Sequence, residues 1–187
     1  MRLFVAIDIE PHVQVRIRQI QNRLAQTLDL SSRQVKWVQP EQIHLTLKFL
    51  GEVSDAMLTQ VCDGVQRTAA ACDRFDYEVK GLGVFGRPAR VVWAGIAPCP
   101  PMLQLQAELE KRFAELGWEP EDRAFAGHLT VCRVKNAAAG KLLADTVVSQ
   151  YQDEAMGLVS ATEIVLYQSH LTAARPCYTA VCRAALK

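Results

Sequence analysis

A period-two alternation that carries polar residues on one phase constrains this chain more than any other feature. In "QIHLTLKFLG" (residues 42–51), Ile43, Leu45, Leu47 and Phe49 alternate with His44, Thr46 and Lys48. Successive side chains of a strand leave on opposite faces, so the segment reads as a strand with an apolar face in a core. Its other face presents an imidazole, a hydroxyl and an ammonium. The pattern returns in "GHLTVCRV", where His128 and Thr130 share one face and Leu129 and Val131 the other. A third His-Leu-Thr begins at His170, in "QSHLTAARP", but there the alternation breaks and heads into a turn. His170 is therefore expected in a loop at the rim of a cleft, and Thr172 outside the sheet. The last of the chain's 4 histidines, His12, follows Pro11 at a helix start and is expected in solvent.

The flanking sequence supplies two similar series. A strand is expected over residues 2–9 ("RLFVAIDI"), a helix from Pro11 to about residue 28, and then the first His-Leu-Thr strand, stopped by Gly51. Ser54 is placed to cap a second helix, followed by a hairpin of "FDYEVKGLGVF" and "ARVVWAGI" around "GRP". "MLQLQAELEKRFAELG" is an amphipathic helix ended by Gly117. The order then repeats: "AFAGHLTVCRV" as a strand, "AAAGKLLADTVVSQY" as a helix, "ATEIVLYQS" and "CYTAVCRAAL" as strands. The expectation is an α+β protein with the whole of residues 1–187 in one domain. Its two pseudo-symmetric lobes, each an antiparallel sheet with helices on the outer side, would set the histidine strands facing each other across a cleft.

A chain of 187 residues with 50% hydrophobic and 22% charged residues has an ordinary globular balance. Its net charge of +1 argues against coating long nucleic acid by bulk electrostatics, although Arg87, Arg90, Arg123 and Arg133 could hold a phosphate locally. The apolar N-terminal run is broken by Asp8 and Glu10, so neither a signal peptide nor a membrane span is expected and the location expected is cytoplasmic. The 6 cysteines (Cys62, Cys72, Cys99, Cys132, Cys177, Cys182) contain no Cys-x-x-Cys and are read as small packing residues.

Two facing His-x-Thr strands suit phosphoryl chemistry. Each puts an imidazole and a hydroxyl about 7 Å apart, at roughly 3.3 Å of rise per residue. A neutral imidazole can take a proton from water as it attacks phosphorus, a protonated one can supply the leaving oxygen, and hydroxyls can donate to non-bridging oxygens. The bland alternative for a single copy is a satisfied polar pair on a sheet face; two copies in matching contexts weigh against it. Zinc held by three histidines is the competing sharp reading, but no His-Glu-x-x-His and no nearby Cys or Asp cluster accompanies them. A third possibility is a cleft that holds RNA ends or nucleotides without turnover.

"HLTLKFLGEV" and "RAFAGHLTVCRVK", with "RLFVAIDI", "GVFGRPARVVWAGI" and "LYQSHLTAARPCYTAV", resemble the 2H phosphoesterase superfamily. Within it they resemble the bacterial RNA 2',3'-cyclic phosphodiesterases, also described as 2'-5' RNA ligases, over essentially the whole chain. The resemblance implies a metal-independent, cofactor-free cleft that hydrolyses a terminal 2',3'-cyclic phosphate of RNA to a 2'-phosphomonoester; joining tRNA halves by a 2'-5' bond is the alternative direction. It implies no membrane and no obligate protein partner. By similarity His44 is the proton donor, His128 the acceptor, and Thr46 and Thr130 bind phosphate oxygens. Arg133 matches an arginine that follows the second motif, yet strict alternation puts it on the face opposite His128. Either the strand bulges or ends there, or the arginine is structural. Phe4, Lys48, Arg123 and Phe125 are possible pocket residues, although strand aromatics are more often core. Gly127 stands where many relatives have proline.

Overall fold

Two antiparallel sheets face each other, and the chain passes back and forth between them. The computed structural model describes residues 1–171 and 176–187. The first sheet has the order β3 (His44–Glu52), β1 (Arg2–Asp8), β8 (Glu163–Leu171), β9 (Pro176–Ala185). The second has the order β2 (Val35–Trp37), β6 (His128–Val134), β5 (Val91–Ile96), β4 (Phe75–Phe85), β7 (Ala155–Ala161). Helices α2 (Leu58–Ala70) and α3 (Pro100–Glu115) pack on the first sheet, and α1 (Pro11–Thr27) and α4 (Ala137–Gln150) on the second. The α+β, two-lobed expectation holds, and one continuous hydrophobic core, from Leu3 and Leu45 to Leu129 and Val159, runs through both lobes.

The two sequence series do not map one to each lobe. After β3 and α2 in the first lobe, the hairpin β4–β5 belongs to the second sheet; after β6, α4 and β7 in the second, β8 and β9 return to the first. Helix α1 follows a strand of the first sheet yet packs on β7 of the second, and α3 follows β5 yet packs on β3 and α2. The interleaving closes the core between the lobes. β3 and β6 approach within 8 Å between Cα atoms, so the two His-x-Thr strands adjoin.

Local chemistry accounts for the element ends. Proline opens both α1 and α3, where the missing N–H is one the helix could not bond anyway. Helix α3 ends as Gly117 is expected to end it: Gly117, at φ 97°, donates its N–H to Ala114 O (3.0 Å), and Trp118 donates to Phe113 O (2.9 Å). That double bond is a Schellman ending, and the Trp118 ring closes it by meeting Phe113 edge-on at 5.6 Å. Ser54 does not cap α2 with its side chain. A 3-10 turn, Asp55–Met57, intervenes, and its backbone bond from Met57 N–H to Ser54 O (3.1 Å) occupies the groups a cap would serve.

Other expectations are corrected by the ladders. β7 escapes the sequence pattern because a register shift beside Gly157 (φ 131°) breaks its alternation. His170 lies within β8, paired with Cys177 of β9, rather than in a loop. The hairpin ladder continues into the apparent turn because Pro176 begins an edge strand, where its missing N–H leaves no bond unmade in the sheet. Thr172 lies outside the described residues. Cys132 is buried as a packing residue, but Cys177 is exposed. Among the described residues no helix is long and apolar enough to cross a membrane.

Candidate active site

Both histidines begin their strands and are held alike. His44 Nδ1 lies 2.9 Å from Gln42 O, and His128 Nδ1 lies 2.9 Å from Ala126 O. A carbonyl can only accept, so in each ring this geometry assigns the hydrogen to Nδ1. The atom left to gain or lose a proton is Nε2, and the same two-residue step fixes it in both lobes. Among the described residues no three His, Cys, Asp or Glu side chains gather in a metal-holding group.

Around His44 the first sheet supplies an aromatic cage. Phe4, only 3% exposed, stacks on the imidazole at 4.8 Å, and Tyr178 meets it edge-on at 5.0 Å. Tyr167 also stacks on Phe4, at 5.5 Å, with its ring 6.3 Å from His44, and donates its hydroxyl to both Asp8 oxygens, at 2.7 and 2.9 Å. Asp8 is the residue opposite His44 in the β1–β3 ladder and also faces Arg183 at 3.5 Å, which in turn pairs with Glu163. Burial pulls the His44 pKa below its ordinary 6.5; the Gln42 carbonyl and the Asp8 charge oppose that pull. Burial raises the Tyr178 phenol, and the Arg133 charge opposes the rise.

His128 sits in a matching but more open setting. The Phe85 ring meets it edge-on at 5.0 Å, and Trp93 lies 6.4 Å away. Trp93 is pressed flat across Gly83: a Cβ there would fall 2.1 Å from its ring, so only glycine fits. The Trp93 indole nitrogen is buried and finds no hydrogen-bond partner among the described residues. Gly127, in the place where a proline would stiffen the chain, packs beside Ile96, Phe125 and Leu45.

The positions after the threonines differ from the simple alternation, in the same way in both strands. Burial runs half-buried, buried, half-buried, buried, buried, exposed from His44 to Phe49 and again from His128 to Arg133. The cause is a β-bulge. In the first sheet Ala6 pairs with Thr46 but Val5 with Lys48; in the second Trp93 pairs with Thr130 but Val92 with Cys132. The unpaired residues, Leu47 and Val131, advance each strand by one. Lys48 is therefore not a pocket residue. It turns into the protein, its side chain 1% exposed, and meets Glu110 of α3 at 2.6 Å. Phe49, expected in the core, emerges 66% exposed on the histidine face, where it reaches Phe4 at 6.1 Å. Arg133 comes out on the face of His128 and Thr130, which resolves the conflict that strict alternation posed.

Of the remaining expected pocket residues, Phe4 lines the site as the ring beneath His44. Phe125 instead packs against the core, and Arg123 is exposed in the loop before β6. His170 alternates with Ser169, which pairs with Tyr178, so it points away from the cleft face. His12 is exposed and lies 3.2 Å from Glu10. Phe49, Phe85, Trp93, Tyr167, Tyr178 and Asp8 complete the wall; sequence reading had no reason to separate these aromatics from ordinary core residues.

A two-lobed α+β fold with twin imidazoles locked through Nδ1, flanked by hydroxyls and by the Arg133 guanidinium, is the architecture of a phosphoester-handling protein. The family model described as LigT like Phosphoesterase matches residues 7–93 and 96–178, and the chain belongs to that family. It is 35% identical over 181 residues to an "RNA 2',3'-cyclic phosphodiesterase" of Methanothermobacter thermautotrophicus, covering 96% of this chain and 95% of the relative. Among solved structures it resembles TT0787 of Thermus thermophilus, with a TM-score of 0.83 at 27% identity, covering 100% of this chain and 98% of the other. It also resembles E. coli LigT complexed with 3'-AMP, with a TM-score of 0.79 at 27% identity, covering 99% and 97%.

Proposed function

We infer that this protein is an RNA 2',3'-cyclic phosphodiesterase that opens the cyclic phosphate at an RNA end to a 2'-phosphomonoester, and that residues 1–187 act as one bilobal domain in the cytoplasm. The observation that carries the reading is the matched pair of imidazoles, each with Nδ1 committed to a carbonyl two residues back and Nε2 left for proton transfer. With Nε2 of His128 as base, a water loses its proton as its oxygen bonds to phosphorus. The bond from phosphorus to O3' breaks, and His44 Nε2 delivers its proton to that oxygen. The 2' ester remains. Thr46 and Thr130 stand two residues along from the histidines and donate to the non-bridging oxygens, while Arg133 offers its fork of N–H donors to the phosphate as charge builds. Phe49, exposed on the same face, offers the terminal base a ring to stack on.

The test is incubation of the purified protein with a nucleoside 2',3'-cyclic phosphate in EDTA, with identification of the product isomer. A 2'-phosphate is expected, and His44→Ala or His128→Ala should each reduce turnover by about a hundred- to ten-thousand-fold. Tight binding without turnover would leave only an RNA-end-binding cleft. Activity lost in EDTA and restored by zinc would replace the two-histidine mechanism with a metal-based one. A 2'-5'-joined product from two RNA ends would reverse the direction.

A further inference from the structure

The row of cleft-facing side chains that contains Arg133 continues one strand further. In the short ladder between β2 and β6, Lys36 stands directly opposite Arg133. Directly opposed residues of an antiparallel pair share a face, so the bulge that turns Arg133 to the cleft shows that Lys36 faces it too. Lys36 is exposed, between buried Val35 and half-buried Trp37. On the other side Arg133 is opposite Val91, and Val91 is opposite Phe85. The row thus runs from the ring that touches His128 out to a lysine on the edge strand.

Two cations set opposite each other repel, and among the described residues neither Lys36 nor Arg133 has an ion pair or a side-chain hydrogen bond. Elsewhere the chain pairs cations that lie close to acids: Arg16 with Glu154, Lys48 with Glu110, Arg112 with Glu108, Arg183 with Glu163. Arg133 stands exposed on the His128 face of β6. Lys36 lies one strand, about 4.8 Å, further out, and its flexible stem adds reach. That offset suits the step from one phosphate of an RNA strand to the next.

We propose that Lys36 binds the phosphodiester on the 5' side of the terminal nucleotide, so that the site favours RNA ends of two or more nucleotides over a lone nucleoside cyclic phosphate. The inference rests on the hydrolytic reading above. It is tested by measuring kcat/KM for cytidine 2',3'-cyclic phosphate and for a trinucleotide ending in the same group, in wild type, Lys36→Gln, Lys36→Arg and, as a surface control, Lys141→Gln. Lys36→Gln should lower the ratio of trinucleotide to mononucleotide by about tenfold, Lys36→Arg should restore most of it, and Lys141→Gln should leave it alone. The slope of log kcat/KM against log salt for the trinucleotide should fall by about 0.7 in Lys36→Gln. A parallel loss on both substrates, or a ratio that does not move, overturns the proposal. Affinities for the corresponding 2'-phosphate products are measured alongside. If wild type turns over neither substrate the hydrolytic reading fails, while the ratio of affinities still decides for or against Lys36.

Discussion

Phe49 and Arg133 occupy equivalent places in the two lobes. Each follows its histidine by the same number of residues, each is turned onto the histidine's face by a one-residue bulge after the threonine, and each is exposed there. One lobe places a ring where the other places a guanidinium. A cleft that is nearly two-fold symmetric in its histidines and threonines is thereby made directional, with an apolar side and an anion side.

We predict that the two residues separate kinetically. Phe49→Ala removes a stacking surface worth about 1–3 kcal/mol per base, so KM should rise about 5- to 150-fold with kcat little changed. Arg133→Ala removes a donor aimed at developing charge, so kcat should fall about a hundred- to a thousand-fold. Arg133→Lys should recover only part, because a point charge lacks the planar fork. The same kinetic signature from both variants would sink the directional assignment.

We predict that Asp8 tunes the alkaline limb of the pH profile. In the proposed mechanism His44 is the proton donor and must be protonated, so activity is lost as pH rises through its pKa, which burial places below the ordinary 6.5. The Asp8 carboxylate favours the imidazolium, and Asp8→Asn removes that support. The alkaline limb of the kcat/KM profile should then move to lower pH, while Tyr167→Phe, which leaves the Asp8 charge in place, should not lower it. A limb that stays fixed or rises in Asp8→Asn contradicts this account.

Lys48 and Glu110 form a nearly buried ion pair beside the first bulge, their side chains 1% and 14% exposed. Lys48→Ala leaves the glutamate desolvated and unpaired, and should cost about 3–5 kcal/mol of unfolding free energy in urea titration. Replacing both residues by apolar ones of similar size, Lys48→Met with Glu110→Leu, should recover most of that loss. A double variant as unstable as the single would show that the pair's charge, rather than its unpairing, holds the bulge.

Gly83→Ala tests the floor under His128. Its methyl would meet the Trp93 ring at 2.1 Å, so the indole must move, and overpacking of this kind costs about 1–3 kcal/mol. Trp93 fluorescence should shift and turnover should fall together; a fold-stable variant with an unchanged spectrum would show that the close approach is not needed.

Much of this was legible in the letters. The two His-x-Thr strands, the apolar alternates Leu45 and Leu129 in the core, and the Gly117 helix end come from period and turn chemistry. The faces taken by the residues beyond Thr46 and Thr130 were not legible, because a bulge changes which face a residue takes without changing the pattern that announces it. Lys48, Phe49 and Arg133 were misplaced or left undecided for that single reason. His170 was misjudged differently: "LTAARP" reads as a turn, but a hairpin ladder to β9 keeps it in a strand. The interleaving of the lobes left no trace, since it depends on which sheet a hairpin joins and not on whether it forms.

The passage of the chain between the sheets has a mechanical consequence. With α1 and α3 each reaching across to the opposite lobe, and with β2–β3, α2–β4 and β7–β8 all spanning the divide, the halves are joined among the described residues by many crossings rather than by one linker. The two histidine strands are tied together by all of these crossings, as the jaws of a caliper are tied by its frame. A protein cut between residues 94 and 95 should therefore yield halves that fold only in each other's presence.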